Sequence, residues 1–294
     1  MATAGPSMSG SMSGMTCAIT GPTHGIGRAM AEALAARGAR VLLLCRNVAA
    51  GDALAGELMS RRAAASVVQL DLASLESVAA AAGRVQALAP RLDVLLNNAG
   101  VINNHRRETQ DGLEEMFAVN HLGHFLLTLR LLPQLAAAPA ARIVHTASGA
   151  HAMIPRFDFA DYNWTARPYR MFPGYAASKL ANVLFNQALA QHLGPGRATS
   201  NAFHPGWVGS QIGANNGAVG RIGARLLRPF ARTLERGAET GIYLACDPAV
   251  AGQSGGYFKD CRPVTPAASG QEPGAPERLW ELSERLLRER GFSI

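Results

Sequence analysis

Short apolar runs alternate with longer amphipathic stretches along most of this chain. Runs of about five apolar residues are typical of strands buried on both faces, and stretches of about 10–15 residues between them are typical of crossover helices. The predicted strands span residues 16–20, 40–44, 66–70, 93–96, 142–146, 200–203 and 256–258. The predicted helices span residues 26–37, 48–62, 74–88, 113–136 and 175–192, and a closing helix begins at Pro276. The pattern predicts an α/β fold: a doubly wound parallel sheet of about seven strands with helices on both faces.

A chain of 294 residues, 48% of them hydrophobic and 17% charged, is long enough and apolar enough for one large folded domain. The sequence shows neither an internal repeat nor a linker, so residues 15–294 are predicted to form a single domain. Residues 1–14 are an uncharged tract rich in Met, Ser and Gly, which predicts a disordered N-terminal segment. The tract lacks the basic and apolar regions of a signal peptide, and no run approaches the roughly 18 apolar residues of a membrane-spanning helix.

The four cysteines, at positions 17, 45, 246 and 261, show no Cys-x-x-Cys spacing. Cys17 and Cys45 fall within predicted buried strands, where a free thiol behaves as a small apolar residue. Reduced, structural cysteines and the lack of a targeting segment together predict a cytoplasmic protein.

A net charge of +7 at pH 7 raises the question of an acidic partner. The 28 basic residues are scattered, however, and all but two are arginines, which indicates a compositional bias and predicts no nucleic-acid partner. Within residues 219–234, arginines repeat at helical spacing at positions 221, 225, 228 and 232. A basic amphipathic helix is typical of a membrane surface, but a lid helix with a solvated arginine face is the favoured interpretation.

A glycine-rich segment, Thr20-Gly-Pro-Thr-His-Gly-Ile-Gly27, joins the first predicted strand to the first helix. Glycines allow a tight turn and a close approach of the backbone to a pyrophosphate, and the helix N-terminus supplies free N–H groups with a positive dipole end. The spacing is G-x-x-x-G-x-G, and the alternative is a plain turn. At this position the segment predicts a dinucleotide site in a Rossmann fold, with contacts from Gly21, Thr23, His24, Gly25, Ile26 and Gly27.

The end of the second strand predicts which dinucleotide binds. In a doubly wound sheet this strand end faces the adenosine ribose, about 20 residues beyond the glycine loop. Here it reads Leu44-Cys-Arg46-Asn47, without the carboxylate that commonly holds the 2′-hydroxyl of NAD. We therefore predict NADP, with Arg46 on the 2′-phosphate; the alternative is a solvent-facing arginine. His24 and Arg28 are candidates to assist, and Asp71 is expected at the adenine edge.

Tyr175 and Lys179 lie four residues apart, one helical turn, so they share a helix face. An unperturbed tyrosine, with a pKa of about 10, is a poor proton donor or acceptor at neutral pH. A nearby ammonium group stabilises phenolate, so we expect Lys179 to lower the pKa of Tyr175. The pair predicts general acid–base catalysis.

Together with these features, Asn97-Asn-Ala-Gly100 and Pro205-Gly206 resemble motifs of the short-chain dehydrogenase/reductase family, in its order and spacing, over about residues 15–290. Asn120, Ser148, Tyr175 and Lys179 match its catalytic tetrad. Within the family, the sequence most resembles the retinol-dehydrogenase-like branch, to which WW-domain oxidoreductase and protochlorophyllide reductase are related. The segments that carry this resemblance are residues 45–47, 120–125, 178–182, 257–261 and 279–283.

The resemblance implies roles for the tetrad. Tyr175 would donate a proton to the carbonyl, Lys179 would also bind the nicotinamide ribose, Ser148 would hold the substrate oxygen, and Asn120 would orient a water that links Lys179 to solvent. Further cofactor contacts implied are Asn47, Leu72, Asn98, Ala99, Gly100, Pro205, Gly206 and Val208. Asn98 is expected to be structural, tying the fourth strand to its neighbour. The family also implies a homodimer through the helices that hold Asn120 and Tyr175.

Two segments flank the open side of the tetrad. Residues 156–174 contain six aromatics, and residues 207–236 occupy the substrate-loop position of the family. An apolar inner surface there predicts a bulky, lipophilic carbonyl or alcohol substrate. His121 and His124 lack a third ligand at suitable spacing, so no metal site is predicted. The alternative to an enzyme is a non-catalytic NADP-binding regulator or a membrane-surface interaction protein, which loss of Tyr175 or Lys179 would have favoured.

Overall fold

Eight strands form one sheet in the computed structural model, which describes residues 10–196, 198–208 and 232–293. The strands are β1 (Thr16–Thr20), β2 (Arg40–Cys45), β3 (Ala65–Gln69), β4 (Val94–Asn97), β5 (Ala141–Thr146), β6 (Ala198–His204), β7 (Tyr257–Lys259) and β8 (Arg262–Pro263). Their order is β3-β2-β1-β4-β5-β6-β7-β8, parallel except for the β7–β8 pair. This is the doubly wound Rossmann arrangement, which confirms the predicted fold class.

The eighth strand is a short addition that the sequence pattern did not indicate. β7 and β8 form a tight hairpin whose two connecting residues, Asp260 and Cys261, both have positive φ, at 52° and 58°. Two positive φ angles are what a two-residue hairpin turn requires, but Asn-Gly or Asp-Gly is its usual sequence. Pro263 is tolerated because β8 lies at the sheet edge.

Helices cover both faces of the sheet. They are α1 (Gly25–Ala36), α2 (Val48–Ser60), α3 (Leu75–Leu88), α4 (Glu115–Phe117), α5 (Gly123–Ala136), α6 (Met171–Leu193), α7 (Leu234–Cys246) and α8 (Ala275–Glu289). A π-helical turn, Ala118–Leu122, joins α4 to α5. Side chains of α1, α2 and α7 form the core on one face, and those of α3, α5, α6 and α8 form the core on the other.

Strand side chains alternate between the two cores. Ala18 and Leu42 belong to the α6 side, whereas Cys17, Ile19 and Leu43 belong to the α1 side. This period of two is the geometry of a pleated strand with both faces buried. The four cysteines are buried free thiols. No helix within the described ranges is long and apolar enough to cross a membrane.

The N-terminal segment is partly ordered, so the prediction that residues 1–14 are disordered is wrong for residues 10–14. Met12 is fully buried in the α1-side core, and its N–H donates to the Arg37 carbonyl at 2.9 Å. Arg91 also donates to the Gly14 carbonyl at 2.9 Å. Burial of the Met12 side chain stabilises this part of the segment, although the composition of the segment is polar. Residues 1–9 lie outside the described residues.

The C-terminal helix α8 covers the outer faces of α5 and α6. The Trp280 ring packs edge-on against Phe125 at 5.0 Å between centroids and stacks on His192 at 3.7 Å. Ser283 lies 2.8 Å from the Nε2 atom of His121. The homodimer that the resemblance implies stays a prediction.

Candidate active site

The loop after β1 has a shape that only glycine permits. Gly21 and Gly25 adopt positive φ, at 65° and 62°. A Cβ atom on Gly27 would collide with the Gly21 carbonyl oxygen and with the Asn98 side-chain amide. Helix α1 begins at Gly25, and no side chain among the described residues caps its first N–H groups. A narrow backbone cradle at an uncapped helix N-terminus fits the pyrophosphate of a dinucleotide.

Gly27→Ala is expected to lower the free energy of unfolding by about 1–3 kcal/mol, because the new methyl group meets backbone that cannot yield. It should also weaken dinucleotide binding. The matched control is Gly83→Ala in α3, where an added Cβ meets nothing within 4 Å. That variant should gain about 0.5–1 kcal/mol, since alanine is the better helix residue. Urea denaturation and cofactor titration measure both effects; equal stability of the two variants would contradict the proposed cradle.

The ends of β1, β4 and β5 are joined beneath this loop. The Thr20 hydroxyl oxygen accepts hydrogen bonds from the N–H groups of Asn98 and Ala99, each at 2.9 Å. Asn98 donates from its amide to the Thr20 carbonyl at 3.0 Å and accepts from the Thr146 hydroxyl at 3.2 Å. Asn98 therefore ties neighbouring strands together at the point where the strand order reverses, which is where open α/β sheets bind ligands.

Ser148, Tyr175 and Lys179 converge at the same carboxyl ends of the sheet strands. Ser148 follows β5, its Oγ accepts from the Ala150 N–H at 3.1 Å, and its hydroxyl lies near enough to the Tyr175 phenol to lower the pKa of that phenol. Lys179, only 2% exposed, donates to the Thr146 carbonyl at 2.9 Å. Its Nζ lies 5.8 Å from the centre of the Tyr175 ring. A hydroxyl, a phenol and an ammonium group thus meet at the point where the tetrad was predicted.

The pKa values depart from the sequence-based expectation. Burial raises the pKa of Tyr175 to about 12, with the Ser148 hydrogen bond lowering it, and burial lowers the pKa of Lys179 to about 8. The pKa of Tyr175 is therefore raised and not lowered as expected, with burial as the larger cause, and Ser148 rather than Lys179 is the group that lowers it. Tyr175 is therefore a neutral phenol at pH 7, the form that donates a proton to a carbonyl oxygen.

Asn120 lies in the π-helical turn between α4 and α5, a type of irregularity that is frequent at functional sites. Its side-chain oxygen accepts from the Val101 N–H at 2.7 Å. Its amide nitrogen donates to the Val101 carbonyl at 3.0 Å and to the Ser178 hydroxyl at 2.9 Å. Ser178 in turn donates to the Tyr175 carbonyl at 2.8 Å. Asn120 therefore joins the loop that follows β4 to the helix that carries Tyr175.

Of the residues predicted to contact the adenosine, some are exposed and others already hydrogen-bond or pair with protein groups. Arg46 follows β2, is exposed, and makes no hydrogen bond or ion pair with any described residue. Asn47 caps α2, its Oδ1 accepting from the Ala50 N–H at 3.0 Å. The suggestion that Arg28 assists is wrong for this arrangement: it pairs with Glu32 at 3.0 Å and with Glu57.

The remaining residues predicted on the adenosine side lie near the carboxyl ends of the same strands. His24 Nδ1 and the Thr23 hydroxyl are 3.1 Å apart at the α1 N-terminus, and Ile26 lies partly buried in its first turn. Asp71 follows β3 and accepts from the Ala73 N–H at 3.0 Å, while the neighbouring Leu72 is buried in the core. These positions surround the carboxyl ends of β1, β2 and β3, as the cofactor prediction requires.

On the nicotinamide side, Pro205-Gly206 follows β6, and Gly206 has a φ of 83°. The Arg232 guanidinium packs against Gly206 and pairs with Asp260, so Arg232 does not belong to a solvated arginine face. Val208 forms a parallel bridge with Arg232. The other three positions of the predicted arginine repeat, 221, 225 and 228, lie outside the described residues.

His204 is a site neighbour that sequence reasoning missed. Its Nδ1 lies 3.0 Å from the Gly149 nitrogen and 3.3 Å from the Gly206 nitrogen, so it accepts from both N–H groups. It thereby connects the Ser148 loop to the Pro205-Gly206 turn. Burial and nearby cations lower the pKa of His204 to about 4, which keeps the ring neutral. Its position directly before Pro-Gly was the available signal.

The aromatic segment covers the core and does not line the site. Phe157 and Trp164 are buried. The Phe117 ring packs against the Phe157 and Tyr162 rings, with centroid-to-centroid distances of 6.0 Å and 5.4 Å. Of the six aromatics, only Phe172 is exposed, at 51%. The prediction that this segment forms an apolar inner lid is therefore wrong for most of its aromatics, because they pack on one another, on Phe117 and on two arginines, Arg167 and Arg278.

Three histidines are fully buried below the site, and burial lowers the pKa of each to about 3. They have separate partners: His121 contacts Ser283, His124 contacts Thr20, and His145 contacts Ser200. Within the ranges that the structure describes, no three His, Cys, Asp or Glu side chains are placed to hold a metal ion.

Comparison with known proteins agrees with this geometry. The family model for short chain dehydrogenase matches residues 15–218. Mouse retinol dehydrogenase 14 is 40% identical over 95% of this chain and 87% of its own length, and chicken WW domain-containing oxidoreductase is 35% identical over 95% and 69%. RhlG of Pseudomonas aeruginosa, solved with NADP, is 26% identical with a TM-score of 0.67, covering 84% of this chain and 95% of its own. This chain belongs to the short-chain dehydrogenase/reductase family, in its retinol-dehydrogenase-like branch, and is an oxidoreductase acting on alcohol or carbonyl groups.

Proposed function

We propose that this chain is an NADP-dependent reductase of a lipophilic ketone or aldehyde. The observation that carries the proposal is the convergence of Ser148, Tyr175 and Lys179 beside the glycine loop. NADPH, when bound, supplies the hydride for the carbonyl carbon. Ser148 holds the carbonyl oxygen, and Tyr175 donates its phenolic proton to that oxygen, so that an alcohol forms. Lys179 would hold the ribose of the bound cofactor and would return a proton to the phenolate.

The preference for NADP rests on Arg46. It is exposed at the end of β2 and unpartnered among the described residues, and the strand end Leu44-Cys-Arg46-Asn47 carries no carboxylate that would repel a 2′-phosphate. A guanidinium binds phosphate through charge-assisted, bidentate hydrogen bonds. RhlG, similar in structure, was solved with NADP.

Arg46→Ala is expected to weaken NADPH binding by about 1.5–3 kcal/mol, the cost of losing a charged hydrogen-bond partner, and to leave NADH binding nearly unchanged. Arg61→Ala is the matched control, because Arg61 is also exposed but lies at the opposite end of α2. Fluorescence titration with both cofactors measures the effect. Equal weakening of NADPH and NADH, or a parent enzyme that prefers NADH, would rule Arg46 out as the selector.

The lipophilic substrate is supported by three exposed apolar side chains near the tetrad. Met153 (59% exposed) follows the Ser148 loop, Phe172 (51%) lies one turn before Tyr175, and Trp207 (60%) follows Gly206. Exposed large apolar side chains around a catalytic centre favour an apolar ligand.

The test of the proposed function is NADPH consumption with a panel of ketones and aldehydes of increasing chain length. We expect turnover to rise with the apolar size of the substrate. Cofactor binding without turnover of any member would instead support a non-catalytic NADP-binding regulator. Turnover confined to short polar carbonyls would overturn the lipophilic substrate.

A further inference from the structure

An unbroken chain of hydrogen bonds runs from the cofactor-loop strand to the catalytic helix through a buried imidazole. The Thr20 hydroxyl lies 2.9 Å from His124 Nε2, and His124 Nδ1 lies 3.2 Å from the Asn120 carbonyl oxygen. Asn120 continues the chain to Ser178, and Ser178 to the Tyr175 carbonyl. The first three of these residues are almost completely buried.

The direction of each bond follows from the donors available. The Thr20 oxygen already accepts from the N–H groups of Asn98 and Ala99. Its own proton therefore goes to His124 Nε2, which is closer than the alternative Leu96 carbonyl at 3.4 Å. A neutral imidazole carries one N–H, so Nδ1 donates to the Asn120 carbonyl.

The hydrogen bonds of Asn120 determine which of its groups remains available for catalysis. Both amide hydrogens of Asn120 are used by Val101 and Ser178, and its side-chain oxygen accepts from Val101. The main-chain carbonyl accepts from His124 and has a second lone pair that can face a water, so its position depends on His124. It lies in the π-helical turn, where the bonding pattern departs from that of a regular α-helix.

We infer that His124 is a positioning residue for the reaction: it locks the Asn120 carbonyl to the end of β1, and so holds the Tyr175–Lys179 helix in register with the cofactor loop. The inference rests on the proposed function. His121 offers a close contrast, since it is equally buried three residues before His124 but contacts Ser283 of α8.

His124→Phe and His121→Phe form a matched pair. Both remove a buried imidazole and keep an aromatic ring, but only the first breaks the link between Thr20 and Asn120. We expect kcat of the His124 variant to fall by about 10–100-fold, the cost of slightly misplaced catalytic groups. Its KM and its Kd for NADPH should change by less than about threefold. The His121 variant should keep its kcat within about twofold.

Hydrogen exchange provides a readout that does not depend on turnover. The Val101 amide, held by Asn120, should exchange about tenfold faster in the His124 variant and at the parental rate in the His121 variant. If the His124→Phe chain does not fold, His124→Asn, which is smaller and polar, is measured in the same way.

The outcomes separate the two proposals. A parent enzyme that turns over no carbonyl refutes the proposed function, and Val101 exchange then decides the role of His124. Equal losses of kcat in the two Phe variants, or unchanged Val101 exchange in the His124 variant, would overturn the positioning role.

Discussion

Tyr175→Phe is expected to lower turnover by about 10²–10⁴-fold, the range for loss of a general acid, while NADPH affinity stays unchanged. The substitution removes only the phenolic hydroxyl, whose pKa the Ser148 side chain lowers, and leaves the ring in place. Ser148 is proposed to hold the substrate oxygen, so we do not expect it to replace Tyr175 as the proton donor.

The measurement is kcat for the best substrate of the panel, with NADPH binding followed separately. Tyr243→Phe is the control, since Tyr243 packs against the core on the opposite face of the sheet. We expect that variant to retain parental turnover. Activity of the Tyr175 variant within about threefold of the parent would remove Tyr175 from the mechanism.

Acid is expected to destabilise the fold strongly between pH 7 and pH 5. Burial lowers the pKa of His121, His124 and His145 from 6.5 to about 3. The unfolded chain therefore binds more protons than the folded chain between these values, so stability is lost as pH falls below about 6.5. At pH 5 each histidine costs about 2 kcal/mol, and together they cost about 6 kcal/mol. That is comparable with the whole stability of an ordinary domain.

Urea denaturation at pH 7 and at pH 5 measures the loss. His204, with a pKa lowered to about 4, contributes in the same way, so His121→Phe removes one of four such histidines and should reduce the pH dependence by about a quarter. A free energy of unfolding that is the same at the two pH values would show that these imidazoles are not neutral and buried in the folded state.

The sequence was sufficient for the features that local pattern controls. Strand periodicity, the glycine loop and the Tyr175–Lys179 spacing depend on neighbours within one helical turn or one strand, and the structure places all of them at one sheet edge. Arg46 also stands exposed at the end of its strand, as the doubly wound topology requires.

The features that sequence reasoning missed depend on partners distant along the chain. Arg28 is held by Glu57, 29 residues away, and Arg232 by Asp260, 28 residues away. Met12 is buried by the fold around it, although its own segment is polar and glycine-rich. Composition and spacing do not predict such contacts, because they depend on how the helices and strands pack in the tertiary structure.

The central claim is that a hydride passes from NADPH to a carbonyl carbon while Tyr175 supplies the proton. It is tested most directly with NADPH deuterated at the hydride-donating position, followed by mass spectrometry of the alcohol product. We predict one deuterium on the carbinol carbon with the parent enzyme and no labelled product with Tyr175→Phe. Consumption of NADPH without deuterium on that carbon, or labelling that survives the substitution, would contradict the claim.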